Sequence, residues 1–213
     1  MNNQKKSPII QYFFSLDTVT KTLLSINVIA YILMLFSYST DAVFGLNVEQ
    51  LLTIGGTTGD SPTSNLLISM FLHFSFIHLA VNMIVLVFLS RIISDNFSPM
   101  AYLYTYLLSG IVGNIVAKDY IPNVVSVGAS GGIYGLIGLL LISALFKKKY
   151  PDINEMFLFI FVTAIVFVLG TLFSEMANIT AHIVGLLVGC LVATILQFFK
   201  LEVYRENDFY KED

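Results

Sequence analysis

Apolar residues fill six long runs of this chain, at residues 22–39, 66–93, 101–117, 128–146, 156–172 and 179–199, with short polar stretches between them. A helix that crosses a bilayer needs about 20 mostly apolar residues, and each run reaches or approaches that length. The pattern predicts an all-α, polytopic membrane protein, a bundle of six transmembrane helices in a single membrane domain over residues 1–213. The second run is the longest. Read as one helix at 1.5 Å per residue it would reach about 42 Å, more than a hydrocarbon core of about 30 Å, so part of it protrudes or tilts.

Breaking residues set the ends of the runs. Residues 1–20 form a polar and aromatic cytoplasmic lead whose Ile9, Ile10, Tyr12, Phe13 and Phe14 are expected at the membrane surface, with no apolar core of the kind a cleaved signal peptide carries. Residues 40–64 form the longest outside loop, where Gly45, Gly55, Gly56, Gly59 and Pro62 mark turns around an apolar piece at 48–54 that fits a short interfacial helix. Pro99 precedes the third run. Pro122 interrupts the link into the fourth, so residues 121–127 are predicted to be extended and Ser130 falls at or just inside a helix start. Residues 200–213 are a cytoplasmic tail.

Composition agrees with the pattern. The chain is 56% hydrophobic and 12% charged with a mean hydropathy of +0.82, outside the range of soluble domains. Charge adds an orientation: with the N-terminus in the cytoplasm, ten of the 11 Lys and Arg residues lie inside and only Lys118 lies outside. Six spans then return the C-terminus to the cytoplasm. The net charge of -3 and the absence of a basic arm give no sign of nucleic-acid binding. Cys190 is the only cysteine, so no intrachain disulfide can form.

The polar residues that the apolar runs retain carry the chemical information, because a charged group at the bilayer centre costs about 3 kcal/mol and a neutral polar one less. Asn27 in the first run reads as interhelical glue. The second run holds His73, His78 and Asn82, the fourth Ser130 and Tyr134, and the sixth His182. All three of these spans run from outside to inside, and their polar residues can share one cavity open to external water. His78 and Asn82, four apart, share a helical face, whereas His73 and His78, five apart, point about 140° away from each other. Tyr134 lies one turn below Ser130. Gly131, Gly135 and Gly138 form one small-residue stripe, and His182, Gly185 and Gly189 form another. Such stripes serve close helix packing, and here they would bring Ser130 to His182.

Three segments, GASGGIYG at 128–135, HFSFIHLAVNM at 73–83 and AHIVGLLVG at 181–189, together resemble the motifs of the rhomboid family of intramembrane serine proteases. The similarity covers the whole six-span core and is closest to the bacterial type. It implies a Ser-His dyad of Ser130 and His182, an oxyanion contribution from His78 and Asn82, and Tyr134 packed on the dyad histidine. It also implies that His73 is not catalytic. Gly128, Gly131, Gly185 and Gly189 would support the dyad. The implied substrates are transmembrane proteins, cut in or beside their spans, and the implied setting is a bacterial cell membrane, with no cofactor and no metal.

General chemistry fits these roles. Serine is a poor nucleophile until a base stands within hydrogen-bond reach. The Ser130 amide, in the first turn of a helix, lacks an intrahelical acceptor and is suited to hold an oxyanion. No Asp or Glu lies within the six runs, and Glu175 falls about two helical turns from His182, so a dyad is expected rather than a triad.

One departure from the family stands out. The chain has no Trp, so the Trp-Arg pair that often precedes the second span is replaced by Ser64 and Asn65. Substrate entry, by the resemblance, involves residues 167–177, and the extended 122–128 segment would pair with an unfolded substrate strand. A metalloprotease would need a His-Glu-x-x-His helix, which the 73–78 segment does not offer. A transporter or metal channel would leave Ser130, Asn82 and the glycine stripes without a shared purpose. A catalytically inactive relative that binds transmembrane segments would be expected to lack the nucleophile or the base.

Overall fold

The computed structural model describes residues 14–172 and 178–199, residues 168–172 by their backbone alone. Six long helices carry the fold: α1 (Thr18–Tyr38), α2 (Phe76–Asn96), α3 (Pro99–Tyr120), α4 (Ser130–Ser143), α5 (Phe157–Leu172) and α6 (Ile179–Phe198). By length and composition α1, α2, α3 and α6 can cross a membrane, while α4 and α5 are shorter apolar helices. The chain is an integral, multi-pass membrane protein. Among the described residues there is no strand, only an isolated antiparallel bridge between Thr57 and Ser126. The expected cytoplasmic lead and tail fall largely outside the described residues.

Local chemistry explains where the helices begin. Asp17, Ser75, Ser98 and Asn178 each cap a helix by accepting a backbone N–H, from Thr20 (2.9 Å), His78 (3.3 Å), Ala101 (3.2 Å) and Ala181 (3.0 Å) respectively. Pro99 follows its cap at the first helical position, where the missing N–H costs nothing. The helix α4 is apolar all round, and it is accordingly buried almost throughout, at the centre of the bundle. At 14 residues it spans about 21 Å, shorter than a hydrocarbon core of about 30 Å.

The second apolar run differs from its sequence reading. It is not one long helix. Residues Asn65–Ile68 make one helical turn and Ser69–Phe71 a 3₁₀ turn, Leu72 is extended, and α2 starts only at Phe76 after the Ser75 cap. At 21 residues α2 is about 32 Å long, close to the core thickness, and no excess helix is left to tilt or protrude. His73 therefore precedes α2, and the helical-face argument that turned it away from His78 fails: the two rings lie edge to face at 4.9 Å. Asn27 donates to the Leu23 carbonyl of its own helix (2.8 Å), and its side chain also interacts with that of Tyr106 on α3, as expected of a polar group between helices.

The first loop is folded, with short helices at Thr40–Phe44 and Val48–Thr53, the latter closed by a reciprocal Asn47–Gln50 capping box. Leu46, Leu51 and Ala42 pack with Tyr31, Met34, Leu72 and Val125 in an apolar cluster of their own. Hydrogen bonds fasten the loop from Leu46 N–H to the Phe74 carbonyl (2.8 Å) and from Tyr31 Oη to the Ala42 carbonyl (2.8 Å). At the position where the family often has Trp-Arg, Asn65 Nδ2 donates to the Gly56 carbonyl (3.1 Å), and Thr57 Oγ1 donates to the Asn65 carbonyl (2.7 Å). Backbone and amide bonds thus anchor the loop in place of a Trp-Arg pair.

Candidate functional site

Ser130 is the first residue of α4 and is 7% exposed. The chain reaches it through Gly128, whose φ of +119° is closed to most L side chains. A Cβ there would also come within 2.6 Å of the His78 ring, so glycine is required twice over. His182, one turn into α6, places Nε2 2.6 Å from Ser130 Oγ. With the Ser130 hydroxyl donating to Nε2, the imidazole proton resides on Nδ1, an assignment made from the bond rather than seen. Among the described residues Nδ1 has no hydrogen-bond partner. Glu175 lies outside the described residues. The imidazole face stacks on Tyr134, with centroids 4.5 Å apart and planes at 23°.

What lets a serine on one helix touch a histidine on another is the absence of side chains between them. A Cβ on Gly185 would collide with the Gly131 carbonyl, and one on Gly189 with the Gly135 carbonyl. In the other direction, a Cβ on Gly138 would collide with the Leu186 carbonyl. The α6 stripe faces α4 as its spacing suggests, but the α4 stripe is divided: Gly138 faces α6, whereas a Cβ on Gly135 would collide with Ser109 Oγ on α3. Gly131 is a partial exception: a Cβ there would meet nothing closer than 3.4 Å, so its contribution is its carbonyl, on which Gly185 packs.

The second-span residues divide. The His78 ring lies against Gly128, beside the turn that leads to Ser130. His73 and Phe74 flank that ring at 4.9 and 4.8 Å. Asn82, 1% exposed, sits a turn further on and donates one amide N–H to the His78 carbonyl (2.9 Å), which leaves its second N–H for a ligand. Of residues 121–127, expected to be extended, 121–124 form a turn closed by Val124 N–H on the Ile121 carbonyl (3.0 Å), and the stretch that follows has one edge occupied: Ser126 and Thr57 exchange both backbone bonds (3.1 and 2.8 Å), and Gly59 N–H donates to the Pro122 carbonyl (3.0 Å). Phe167, at the start of the expected entry segment, packs on Tyr134 at 5.0 Å, and residues 173–177 of that segment lie outside the described residues.

A cavity of about 10 Å³, room for roughly one water molecule, adjoins the pair. Ser130, His182, Gly128, Ser126, Asn114 and Asn178 contribute to its wall. Sequence reasoning passed over Asn114. The available signal was the same one that picked out the other site residues, a polar side chain inside an apolar run, here in α3. The arrangement as a whole is a hydroxyl paired to an imidazole at a helix start, where unpaired amides and a positive dipole end favour a developing negative charge.

Residues 61–198 match the family model described as the Rhomboid domain. Among similar proteins, "RHOMBOID-like protein 6, mitochondrial" of Arabidopsis thaliana is 32% identical over 136 residues, covering 62% of this chain and 43% of its own. "Inactive RHOMBOID-like protein 8" of the same plant is 32% identical over 117 residues, 53% of this chain and 33% of its own. "Rhomboid-like protease 3" of Toxoplasma gondii is 27% identical over 122 residues, 56% and 46% respectively. The chain thus spans between a third and a half of the length of these relatives.

Proposed function

This chain belongs to the rhomboid family, and on that premise we propose that it is an intramembrane serine endopeptidase working through a dyad of Ser130 and His182. The observation that carries the proposal is the 2.6 Å approach of Ser130 Oγ to His182 Nε2 at the start of α4. His182 takes the Ser130 proton as Oγ attacks a scissile carbonyl, then returns it to the leaving amine. The Ser130 amide, with His78 and Asn82, receives the oxyanion. Water then hydrolyses the acyl-enzyme, with His182 again as base. Tyr134 orients the imidazole from its face, where a triad would use a carboxylate.

In this reading α1 to α6 form six spans with both termini cytoplasmic, in a bacterial cell membrane, and the site opens toward the outer side. The substrates are membrane proteins cut in or next to a transmembrane helix. Since a regular helix shields its peptide bonds, the preferred spans carry Gly or other helix-weakening residues near the outer interface, with a small residue such as Ala at the cut. The relative whose name says inactive makes a second reading concrete, a binder of transmembrane segments without hydrolysis. The presence of both Ser130 and His182, in contact, favours the enzyme.

The test is to reconstitute the purified protein in liposomes with a single-span substrate carrying a Gly-Ala pair near its outer end, and to weigh the products. Two fragments whose masses place the cut in or beside the span support the proposal; an intact substrate bound by the protein supports the second reading instead. Within the site, His78→Ala is expected to lower kcat by roughly 10²-fold, the usual cost of an oxyanion donor. For Asn82→Ala, whose second amide N–H is free to donate, a loss of up to about 10²- to 10³-fold is expected on the same basis. Steady-state kinetics in the same liposomes would order the two, and a wild-type rate for either variant removes that residue from the oxyanion site.

A further inference from the structure

We propose that Asn114, in α3, is a positioning residue that fixes the turn ahead of Ser130 and through it the oxyanion-binding amide; this rests on the serine-hydrolase reading above. Asn114 is 5% exposed, and both ends of its amide are engaged. Nδ2 donates to the Leu66 carbonyl (2.9 Å) and to Ser69 Oγ (3.0 Å), while Oδ1 accepts from Ser126 Oγ (2.7 Å). Ser69 passes the constraint on: its carbonyl accepts the Gly128 N–H at 2.8 Å, and its hydroxyl pairs with Thr57 Oγ1 at 3.0 Å, donating to it while the Thr57 proton goes to the Asn65 carbonyl. Thr57 closes the ring through its paired backbone bonds to Ser126.

The bonds converge on two residues, Ser126 and Gly128, that immediately precede Ser130 in the chain. Simple interhelical glue would join α3 to any neighbour. Here one side chain ties three separate segments, the Leu66–Ser69 turn, α3 and the extended strand, at the point where the backbone turns into α4. A buried network with every member satisfied is rigid, and losing its central amide frees the turn. Gly128 already sits at a positive φ that its neighbours must hold. A shift of the Ser130 amide by about 1 Å weakens its bond to an oxyanion, which exists only in the transition state, so turnover suffers and substrate binding does not.

The experiment measures kcat and KM for cleavage in liposomes, and separately the rate at which a fluorophosphonate labels Ser130, for Asn114→Ala, Ser126→Ala and Ser126→Thr beside wild type and Ser130→Ala. Asn114→Ala is expected to lose roughly 10- to 100-fold in kcat, with KM within about twofold and labelling slowed in parallel. Ser126→Ala is expected to lose several-fold in kcat, Ser126→Thr to restore the wild-type value, and the Asn114→Ala, Ser126→Ala double variant to be no slower than Asn114→Ala. If Asn114→Ala does not fold, the Ser126 pair carries the test alone. Wild-type kcat and labelling in both alanine variants, a loss confined to KM, or a Ser126→Thr as slow as Ser126→Ala overturns the proposal. An unimpaired Ser130→Ala would sink the hydrolase reading itself, which separates the two failures.

Discussion

Ser130→Ala is expected to stop cleavage of a reconstituted single-span substrate, with kcat down by roughly 10⁴- to 10⁶-fold, the scale seen when a serine hydrolase loses its nucleophile. His182→Ala should fall into the same range, because the hydroxyl 2.6 Å away then has no base to take its proton. The double variant should be no worse than either single one, since the two groups act as a unit. Stability is the internal control. Ser130 begins α4 without capping it, so its change to alanine gives up one hydrogen bond, worth about 1 kcal/mol, and leaves the helix otherwise intact. A large loss of activity with a nearly unchanged melting temperature is the expected pair of results. Parallel losses of both would point to a structural serine.

Gly189→Ala is expected to have the second largest effect, through geometry rather than chemistry. Its new Cβ would press into the Gly135 carbonyl, and the same holds for Gly185→Ala against the Gly131 carbonyl. A backbone carbonyl has no rotamer to escape into, so α4 and α6 must separate. Overpacking of this kind costs typically 1–3 kcal/mol, and contact with rigid backbone puts these variants at about 3 kcal/mol or above. The same separation lengthens the Ser130–His182 bond, so activity is expected to drop about 100-fold even in the fraction that folds. Gly131→Ala, whose added methyl would meet only an ordinary 3.4 Å contact, should cost far less in both respects. Thermal unfolding in detergent and cleavage in liposomes, run on the three variants together, check the order. Equal tolerance of all three would mean that the glycine faces do not set the helix separation.

Much of this was legible in the sequence, and the failures share a physical cause. The ends of α1, α3, α5 and α6 fall within a few residues of their apolar runs, because a hydrocarbon solvent penalises unpaired backbone and leaves length and hydropathy in control. Residues 66–72 are as apolar as any span, yet they are not built as continuous helix: Leu66, Met70 and Leu72 are buried against protein while Leu67 and Ile68 stay exposed. Hydropathy cannot separate those two environments, and the single Ser75 cap that starts α2 is a weak signal inside a long run. His73 was consequently assigned to the wrong geometry, turned away from His78 when its ring in fact supports that of His78.

The site was readable for a different reason. Spacing within single elements put Tyr134 one turn below Ser130 and His182 on one stripe with Gly185 and Gly189, while the pairing of Ser130 with His182 was implied by the resemblance of three motifs to the rhomboid family. Asn114 could be seen as a polar residue in α3, but its partners Leu66, Ser69 and Ser126 come from two other segments. Such a role is written in tertiary contacts, and no periodicity within one helix reveals it. The Asn82 amide is a similar case. Its position on the His78 face is a property of spacing, while its bond to the His78 carbonyl is a choice among rotamers that only the folded chain makes.

The most direct test of the dyad is chemical labelling of the nucleophile itself. Purified protein in liposomes is incubated with a fluorophosphonate, digested, and its peptides weighed, alongside Ser130→Ala and His182→Ala. The expected result is a single phosphonyl adduct on Ser130 in the wild-type protein, none in Ser130→Ala, and labelling in His182→Ala slowed by at least about 10³-fold for want of a base. An adduct on another serine, or a protein that cleaves substrate while Ser130 stays unlabelled, would contradict it.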